Sequence, residues 1–252
     1  MEVSPYLSVV IPAYNEAVRL RKTLPLVREF FQAQEFTWEL VLVDDGSVDG
    51  TADILGEFFE PHEARAVSLP ANRGKGYAVR TGVLESKGKL VLISDADLST
   101  PLKEFATLQS CLEEGFDVAI GSRSLANSNI VVRQAWYREG MGRFFNFLVQ
   151  TIALKGFIDT QCGFKCFERE KLLSVIQSMR IDGFSFDVEL LYIAMKKGFS
   201  VKEVAVEWRH MEASRVRIWI DPARMILDLF KIRCNDLLGR YGSRQRRETS
   251  TL

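Results

Sequence analysis

Leu90-Val91-Leu92-Ile93-Ser94-Asp95-Ala96-Asp97 joins four consecutive apolar residues to two carboxylates. A continuous aliphatic run of this length is typical of a strand that is buried on both faces. Asp-x-Asp at the mouth of such a strand supplies the oxygen ligands that a hard divalent cation takes together with substrate phosphates. The pair alone is weak evidence, because an ordinary solvated turn or helix cap has the same composition. Its interpretation therefore depends on the neighbouring motifs.

Two further apolar runs end in polar loops in the same way. Leu7–Ile11 continues into Pro12-Ala13-Tyr14-Asn15-Glu16, and residues 39–43 continue into Asp44-Asp45-Gly46-Ser47. A third loop, Asn72-Arg73-Gly74-Lys75-Gly76, opens a helical pattern. Its glycines predict a backbone that approaches an anion at a helix N-terminus, and a flexible turn with solvated cations is the alternative.

Apolar runs and helical patterns alternate along the first half of the chain. The apolar runs lie near residues 7–11, 39–43, 65–69, 89–94 and 116–121, and the helical patterns near 16–33, 51–60, 75–86 and 101–114. This alternation predicts an α/β fold with a mostly parallel sheet flanked by helices. Ligands of such sheets bind at the carboxyl ends of the strands, where the polar loops fall. No G-x-G-x-x-G follows the first strand, which argues against a nicotinamide dinucleotide site.

The composition indicates a globular protein without a dominant charge. The 252 residues are 47% hydrophobic, which is enough for one sizeable core. The 33 basic and 33 acidic residues cancel, so the net charge gives no argument for nucleic acid binding. Cys162 and Cys166 form one C-x3-C pair without a second pair at metal-binding spacing, so a zinc site is not expected.

The sequence predicts a protein that meets a membrane only from its surface. No stretch reaches the roughly 18 uninterrupted apolar residues of a spanning helix, and the first residues lack the pattern of a signal peptide. We therefore expect a cytoplasmic location, peripheral on the cytosolic face of a membrane.

Two apolar segments are candidates for that peripheral contact. Residues 144–154 are too apolar for an exposed helix and too few to span a bilayer. Downstream, Met225, Ile226, Leu229 and Phe230 recur at helical spacing beside basic residues, as in an interfacial helix. Packing of this stripe on the rest of the chain is an equal alternative, and either segment could also join two copies of the chain.

The motifs together resemble the inverting nucleotide-sugar glycosyltransferases of the GT-A fold, glycosyltransferase family 2. The resemblance covers nearly the whole chain and includes the loops quoted above. Asp159-Thr160-Gln161-Cys162-Gly163-Phe164-Lys165, Phe186–Leu191 and Glu203–Trp208 are similar, more narrowly, to the dolichyl-phosphate glucosyltransferase type, which loads a sugar onto a polyprenyl phosphate. The similarity to this particular type of glycosyltransferase therefore rests on the second half of the chain.

The resemblance implies a catalytic domain and a reaction, and the residue pattern after that domain predicts an extension and a tail. The catalytic GT-A domain is expected over residues 1–212, an amphipathic helical extension over 213–242 and a polar, disordered tail over 243–252. The expected reaction is the inverting, metal-dependent transfer of a hexose, preferably glucose from UDP-glucose, to a polyprenyl (dolichyl-type) phosphate. Mg²⁺ or Mn²⁺ is the expected cofactor, and a homo-oligomer or a membrane-protein partner is compatible with this family.

Other reactions stay open at this point. The same lipid could receive a mannosyl or an N-acetylhexosaminyl group, or a polysaccharide or protein hydroxyl could be the acceptor. A non-catalytic subunit that only binds a nucleotide sugar is the alternative from a different class. The intact Asp95 and Asp97 argue against that last alternative.

The resemblance also assigns roles to individual residues. The nucleotide sugar is expected at Pro12, Ala13, Tyr14, Glu16, Asp44, Asp45, Lys75, Asp95, Ala96 and Asp97, and the metal at Asp95 and Asp97. Asp97, Asp159 and Asp187 are the expected catalytic residues. Arg123 and Arg138 are expected to bind the acceptor phosphate, with solvation of a helix surface as the alternative for both.

The chemistry of the acceptor decides whether a base is needed. A phosphate monoester has a second pKa near 6, so it is already an oxyanion nucleophile at neutral pH. Arginine suits its oxygens because the guanidinium donates several hydrogen bonds in one plane. A hydroxyl acceptor would instead need a carboxylate base, a role that would fall to Asp187 or Asp159.

Several of these acidic residues have local structural alternatives. Asp159 could be a turn residue, and Asp187 could cap a helix. Asp187 and Glu189 are two positions apart, so they should point to different faces of a helix and only one should face the site. Asp49 is expected to cap the helix near 51–60, and Ser99 the helix near Pro101.

Overall fold

The computed structural model describes residues 4–132, 136–210 and 220–242, without the side chains of residues 132, 136–139 and 220. In these residues the strands are Leu7–Ala13 (β1), Trp38–Asp44 (β2), Ala64–Ser68 (β3), Leu90–Ile93 (β4), Val118–Ser122 (β5), Asn129–Val132 (β6), Lys165–Glu168 (β7), Val201–Ala205 (β8) and Glu207–Arg209 (β9). The α-helices are Ala17–Gln32 (α1), Lys75–Glu85 (α2), Phe105–Glu113 (α3), Trp136–Ile152 (α4), Arg169–Ser178 (α5), Phe186–Lys197 (α6) and Ile220–Leu237 (α7).

The main sheet has seven strands in the order β3-β2-β1-β4-β7-β5-β8. Strands β1 to β4 pair in parallel, as do β5 and β8, and only β7 runs antiparallel to its neighbours β4 and β5 among the described strands. Strands β6 and β9 form a separate two-stranded parallel ribbon. The mostly parallel α/β architecture that the sequence predicts is confirmed.

Both faces of the sheet are covered, because successive residues of a strand point to opposite sides. In β1, Val9 belongs to the core that contains Leu20 of α1, whereas the next residue, Val10, belongs to the core that contains Val79 of α2. All four are fully buried. Strands covered on both faces have no polar side, which explains the unbroken aliphatic runs.

Five strands lie where the apolar runs predict them, and the helix expected near 51–60 does not form. That segment contains only the short 3₁₀ helix Asp53–Glu57. Gly56 weakens an α-helix at its centre, and Pro61 disfavours helical backbone in the residue before it. The helix expected over 101–114 begins as the 3₁₀ turn Leu102–Glu104 and continues as α3.

Strand β7 is the element with the greatest consequence for the site. It inserts between β4 and β5, where Lys165 pairs with Ile93 on one side and with Ile120 on the other. The loop that precedes β7 therefore runs back across the carboxyl end of β4. This brings Gly163 against Asp95.

Helix α7 uses two apolar stripes in different ways. Met225, Leu229 and Ile232 are buried in the core that also contains residues of α4 and α6. Leu227 and Phe230 lie on another face and are exposed. Across the described residues, each helix is either too short or too polar to traverse a bilayer. The 243–252 tail falls outside the described residues.

Candidate active site

A cleft of about 890 Å³ opens at the carboxyl ends of the parallel strands. Most residues that the sequence analysis assigns to the site line it, namely Pro12, Ala13, Tyr14, Glu16, Asp45, Lys75, Asp95, Ala96, Asp97, Arg123 and Asp187. Asp44 and Asp159 lie beside the cleft without lining it. Arg138 is in α4, and its side chain lies outside the described part of the structure.

Hydrogen bonds join the loops after β1 and β2 to each other at the start of α1. Oδ2 of Asp49 accepts the backbone N–H of Ala17 at 3.1 Å, and the Thr51 hydroxyl accepts that of Glu16 at 2.9 Å. Asp49 therefore caps α1 rather than the helix predicted after it. This fixes Tyr14 and Glu16 at the rim of the cleft.

The two aspartates after β2 serve different partners. Oδ1 and Oδ2 of Asp45 accept the backbone N–H groups of Arg73 and Gly74 at 2.7 and 2.8 Å, so this carboxylate holds the glycine-containing loop. Burial raises the pKa of Asp45 above its ordinary value. Asp44 is buried and accepts the N–H of Ser47 at 3.0 Å, as expected of a turn residue.

The start of α2 packs against protein backbone. The N–H groups of Gly76 and Tyr77 donate to the Asp182 carbonyl at 2.8 and 3.2 Å. A Cβ on Gly76 would lie 2.5 Å from the Ile181 carbonyl oxygen. These two N–H groups are therefore not available to a ligand anion, because the loop before α6 already occupies that position. The glycines allow close backbone packing instead. The predicted approach of the rest of the loop to an anion stays a prediction.

Lys75 projects from this first turn into the cleft. Its Nζ lies 2.6 Å from Oδ1 of Asp95, and the two side chains are 22% and 33% exposed. Although burial opposes ionisation, Lys75 holds the pKa of Asp95 below its ordinary value, and Asp95 in turn raises the pKa of Lys75. A Cβ on Gly163 would lie only 2.3 Å from Oδ2 of Asp95. The carboxylate therefore needs glycine at position 163.

Asp97 lies on the tight turn that follows Asp95. Its Oδ1 accepts the N–H of Ser99 at 2.9 Å, and Leu98 between them has a φ of 50°. This left-handed conformation is uncommon for a leucine and adds local strain beside the carboxylates. The predicted capping role of Ser99 is wrong, since the 3₁₀ turn that follows starts after Pro101 without a side-chain cap.

These residues fit a divalent cation that arrives with a diphosphate. Asp95 is ionised and Asp97 faces the cleft, so both offer the oxygen donors that Mg²⁺ and Mn²⁺ prefer. In the described ranges, no group of three or more His, Cys, Asp or Glu side chains could hold a metal without help. The remaining ligands would therefore be phosphate oxygens and water.

Arg123 is held by Asp159 through two parallel hydrogen bonds. Its Nε and Nη2 donate to Oδ2 and Oδ1 at 2.7 and 2.8 Å, and its backbone N–H donates to Oδ2 at 3.0 Å. Against the opposing effect of burial, Arg123 lowers the pKa of Asp159 to about 2. The guanidinium lines the cleft and lies 5.6 Å from the Trp208 ring centroid. Asp159 therefore fixes the direction of Arg123.

Asp187 and Glu189 point to different sides of α6, as their spacing predicts. Asp187 lines the cleft, and Nζ of the fully buried Lys165 lies 2.5 Å from its Oδ1. Burial raises the pKa of Asp187 above its ordinary value. Glu189 instead accepts hydrogen bonds from the loop before α6.

Several residues that line the cleft or lie next to it were given no individual role in the sequence analysis. Lys165 stands behind Asp187, Trp208 stacks near His210 with ring centroids 6.0 Å apart, and α7 contributes Arg224 and Asp228. Trp208 ends one of the stretches that carry the family resemblance, which was a usable signal. Residues of α7 reach the cleft through tertiary packing alone, so their sequence gives no comparable signal.

Residues 8–173 match the family described as glycosyl transferase family 2. The chain belongs to this family. As a family 2 glycosyltransferase, it is similar to a dolichyl-phosphate beta-glucosyltransferase of Dictyostelium discoideum, at 36% identity over 93% of this chain and 76% of that protein. Proteins of the same name from Mus musculus and Saccharomyces cerevisiae are 35% and 34% identical, covering 97% and 94% of this chain and 80% and 76% of theirs.

Solved structures share the fold of this glycosyltransferase. Glucosyl-3-phosphoglycerate synthase from Mycobacterium tuberculosis, in complex with Mn²⁺, UDP-glucose and phosphoglyceric acid, superposes with a TM-score of 0.66 at 22% identity, covering 96% of this chain and 81% of that one. Mannosyl-3-phosphoglycerate synthase from Rubrobacter xylanophilus has a TM-score of 0.67 at 20% identity, covering 98% and 79%. The GT-A-like architecture is confirmed.

Proposed function

We propose that this glycosyltransferase transfers glucose from UDP-glucose to a polyprenyl phosphate of the dolichyl type, with inversion at the anomeric carbon. The observation that carries the proposal is the similarity to dolichyl-phosphate beta-glucosyltransferases at 36% and 35% identity, over more than nine tenths of this chain and about three quarters or more of theirs. The arrangement of the cleft supports it, because acidic loops and an arginine held by Asp159 line the same cleft.

The donor would occupy the side of the cleft formed by β1, β2 and β4. Tyr14 and Glu16 lie at its rim, where ring and carboxylate suit a nucleoside. Asp95 and Asp97 would hold the divalent cation. When bound, that cation offsets the charge of the departing diphosphate. Lys75 would contact the same phosphates from the first turn of α2.

The acceptor phosphate would lie at Arg123. An oxygen of the lipid phosphate attacks C1 of glucose, the bond from C1 to the β-phosphate oxygen breaks, and UDP leaves with that electron pair. No proton has to be removed, because the phosphate is ionised at neutral pH. Arg123 orients the nucleophile, and Asp159 orients Arg123.

The proposed phosphate acceptor needs no base, so Asp187 is not required to remove a proton. A fully buried lysine already balances its charge. We propose that Asp187 and Lys165 together form the floor of the cleft between the donor and acceptor sides.

The test is the formation of a lipid product by the purified chain. Polyprenyl phosphate and Mn²⁺ or Mg²⁺ are combined in turn with labelled UDP-glucose, UDP-N-acetylglucosamine and GDP-mannose, and the organic extract is counted. We expect label from UDP-glucose, and none after chelation of the metal. Lipid product from another donor alone, or none from folded protein, would refute the proposal.

A matched pair of variants links the product to the site. Asp97→Asn should lower the transfer rate by about 100-fold or more, because the diphosphate loses electrostatic stabilisation. Asp53→Asn removes an exposed carboxylate outside the cleft and should leave the rate unchanged. Equal rates for both variants would argue against a role for Asp97.

We also propose that the exposed face of α7 contacts the bilayer that contains the lipid acceptor. Leu227, Phe230 and Leu237 are 59%, 53% and 82% exposed and follow helical spacing. Arg224 and Asp228 of the same helix line the cleft. A lipid phosphate could therefore reach Arg123 without leaving the surface that α7 touches.

Sedimentation with anionic phospholipid vesicles tests this contact. Leu227→Ser with Phe230→Ser should reduce vesicle binding by about tenfold or more, since each buried side chain contributes about 1.5–3 kcal/mol. Val18 and Leu26 are 73% and 53% exposed on α1, so their double serine variant is the control. Equal binding by both double variants would exclude α7 as the contact.

A further inference from the structure

The loop between α5 and α6 forms one wall of the cleft and also supports the start of α2. Arg180, Ile181 and Asp182 line the cleft. The Asp182 carbonyl accepts the N–H groups of Gly76 and Tyr77. Because Lys75 is the residue before Gly76, the position of this loop sets where the Lys75 ammonium meets Asp95.

The side chain of Glu189, on α6, binds this loop. Its Oε2 accepts the backbone N–H groups of Arg180 and Ile181 at 2.9 and 2.8 Å, and the residue is fully buried. These bonds fix the N–H groups of the two residues immediately before Asp182. A shift of the Glu189 carboxylate would therefore move the wall of the cleft.

The other oxygen of Glu189 is bonded to the turn that follows α7, residues 238–241. The Tyr241 hydroxyl donates to Oε1 at 2.6 Å, and Nδ2 of Asn235 donates to the hydroxyl at 3.3 Å. Tyr241 is fully buried. Its ring also lies 6.1 Å from that of Tyr192 on α6. The carboxylate thus has a buried partner on each oxygen.

We infer that Tyr241 is a positioning residue for the nucleotide-sugar side of the cleft. It acts through Glu189 on the peptide groups of Arg180 and Ile181, and from there through Asp182 on the first turn of α2. The inference rests on the proposed function of the cleft. By this inference the turn after α7, residues 238–241, influences donor binding although the turn itself contacts no substrate.

Tyr241→Phe tests the inference because it removes only the hydroxyl. Glu189 then keeps its bonds to the loop but loses a charge-assisted one, which weakens its hold on both peptide groups. We expect the KM for UDP-glucose to rise by about 5- to 10-fold, with kcat changed less than about twofold. Hydrogen exchange should accelerate in peptides that cover residues 74–80 and 179–184.

Tyr192→Phe is the matched control. The Tyr192 hydroxyl bonds to Asp236 at 2.5 Å and to Arg233 at 2.7 Å, so it also links α7 to α6. Among the described residues, no hydrogen bond joins this hydroxyl to the loop. It should lower thermal stability to a similar extent and leave the KM and both peptides unchanged. If the two variants match in KM and in exchange, Tyr241 is only a packing residue.

The hydrogen-exchange result does not depend on the substrate. If the wild-type chain forms no lipid product, the proposed function fails. Faster exchange at 179–184 and 74–80 in Tyr241→Phe alone would still support the coupling from Tyr241 to α2. Unchanged exchange in both peptides would overturn the inference, whatever reaction the wild-type chain performs.

Discussion

Replacing Asp159 by Asn removes the charge that faces Arg123 while preserving the size of the side chain. Both carboxylate oxygens accept hydrogen bonds from the guanidinium, and Asp159 is only 6% exposed. An amide offers one acceptor and leaves the Arg123 charge without its partner. The pKa of Asp159 falls from 3.8 to about 2, and one unit corresponds to about 1.4 kcal/mol. We therefore expect Asn to lower the free energy of unfolding by about 2 kcal/mol at pH 7.

The pH dependence of unfolding separates this effect from a general loss of packing. Because the folded-state pKa of Asp159 is depressed, its stabilisation is complete above the unfolded pKa of about 4 and is lost as pH falls toward 2. The difference in free energy of unfolding between wild type and Asp159→Asn should therefore decrease by about 1 kcal/mol from pH 7 to pH 3. Urea unfolding across this range is the measurement.

Enzyme kinetics give the second readout. If Asp159 directs Arg123 toward the lipid phosphate, Asp159→Asn should raise the KM for polyprenyl phosphate by about tenfold and leave that for UDP-glucose within about twofold. Asp236→Asn breaks an ion pair with Lys196 outside the cleft and should change neither KM. This account would be refuted if the difference in unfolding free energy between wild type and Asp159→Asn did not vary with pH, or if the KM for polyprenyl phosphate were unchanged in Asp159→Asn.

Two further substitutions address the contact of Gly163 with Asp95 and the pair formed by Lys165 and Asp187. Gly163→Ala should lower kcat/KM by about 100-fold, because its Cβ would collide with the Asp95 carboxylate. Gly56→Ala is the control, since a Cβ on Gly56 has open space around it and should leave activity unchanged. Equal activity of the two variants would contradict the contact. Lys165→Met should lower the free energy of unfolding by about 3–5 kcal/mol in a denaturant titration, since it leaves Asp187 buried without its partner. The double variant Lys165→Met with Asp187→Leu should regain most of that stability but not the activity. A double variant as unstable as the single one would show that the pair does more than balance charge.

The sheet was predictable from sequence because its strands are buried on both faces. Strands β1, β2 and β4 contain continuous aliphatic residues, and the polar loops that follow them must then meet at one edge. Strand β7 lacks this signal, since it has four residues and a charged one at each end. Its fully buried Lys165 is tolerated only because Asp187, far along the chain, supplies the compensating charge.

The roles within the site were less predictable than its location. Asp45 and Asp159 are chemically the same residue type, yet one holds the loop before α2 and the other holds Arg123. These partners are 28 and 36 positions away, so no local pattern reveals them. The bond between Glu189 and Tyr241 spans 52 positions and is equally invisible in the sequence.

The paired charges of the cleft determine what each substrate requires. Lys75 with Asp95, Arg123 with Asp159 and Lys165 with Asp187 are three ion pairs, so the protein's own charges there largely cancel. A nucleotide diphosphate would enter at the first pair, where a second carboxylate, Asp97, adds negative charge. In the proposed reaction its approach would therefore need an added cation, whereas a lipid phosphate would meet the Arg123 guanidinium, which lines the cleft. Donor affinity should consequently fall much further than acceptor affinity when divalent cations are removed.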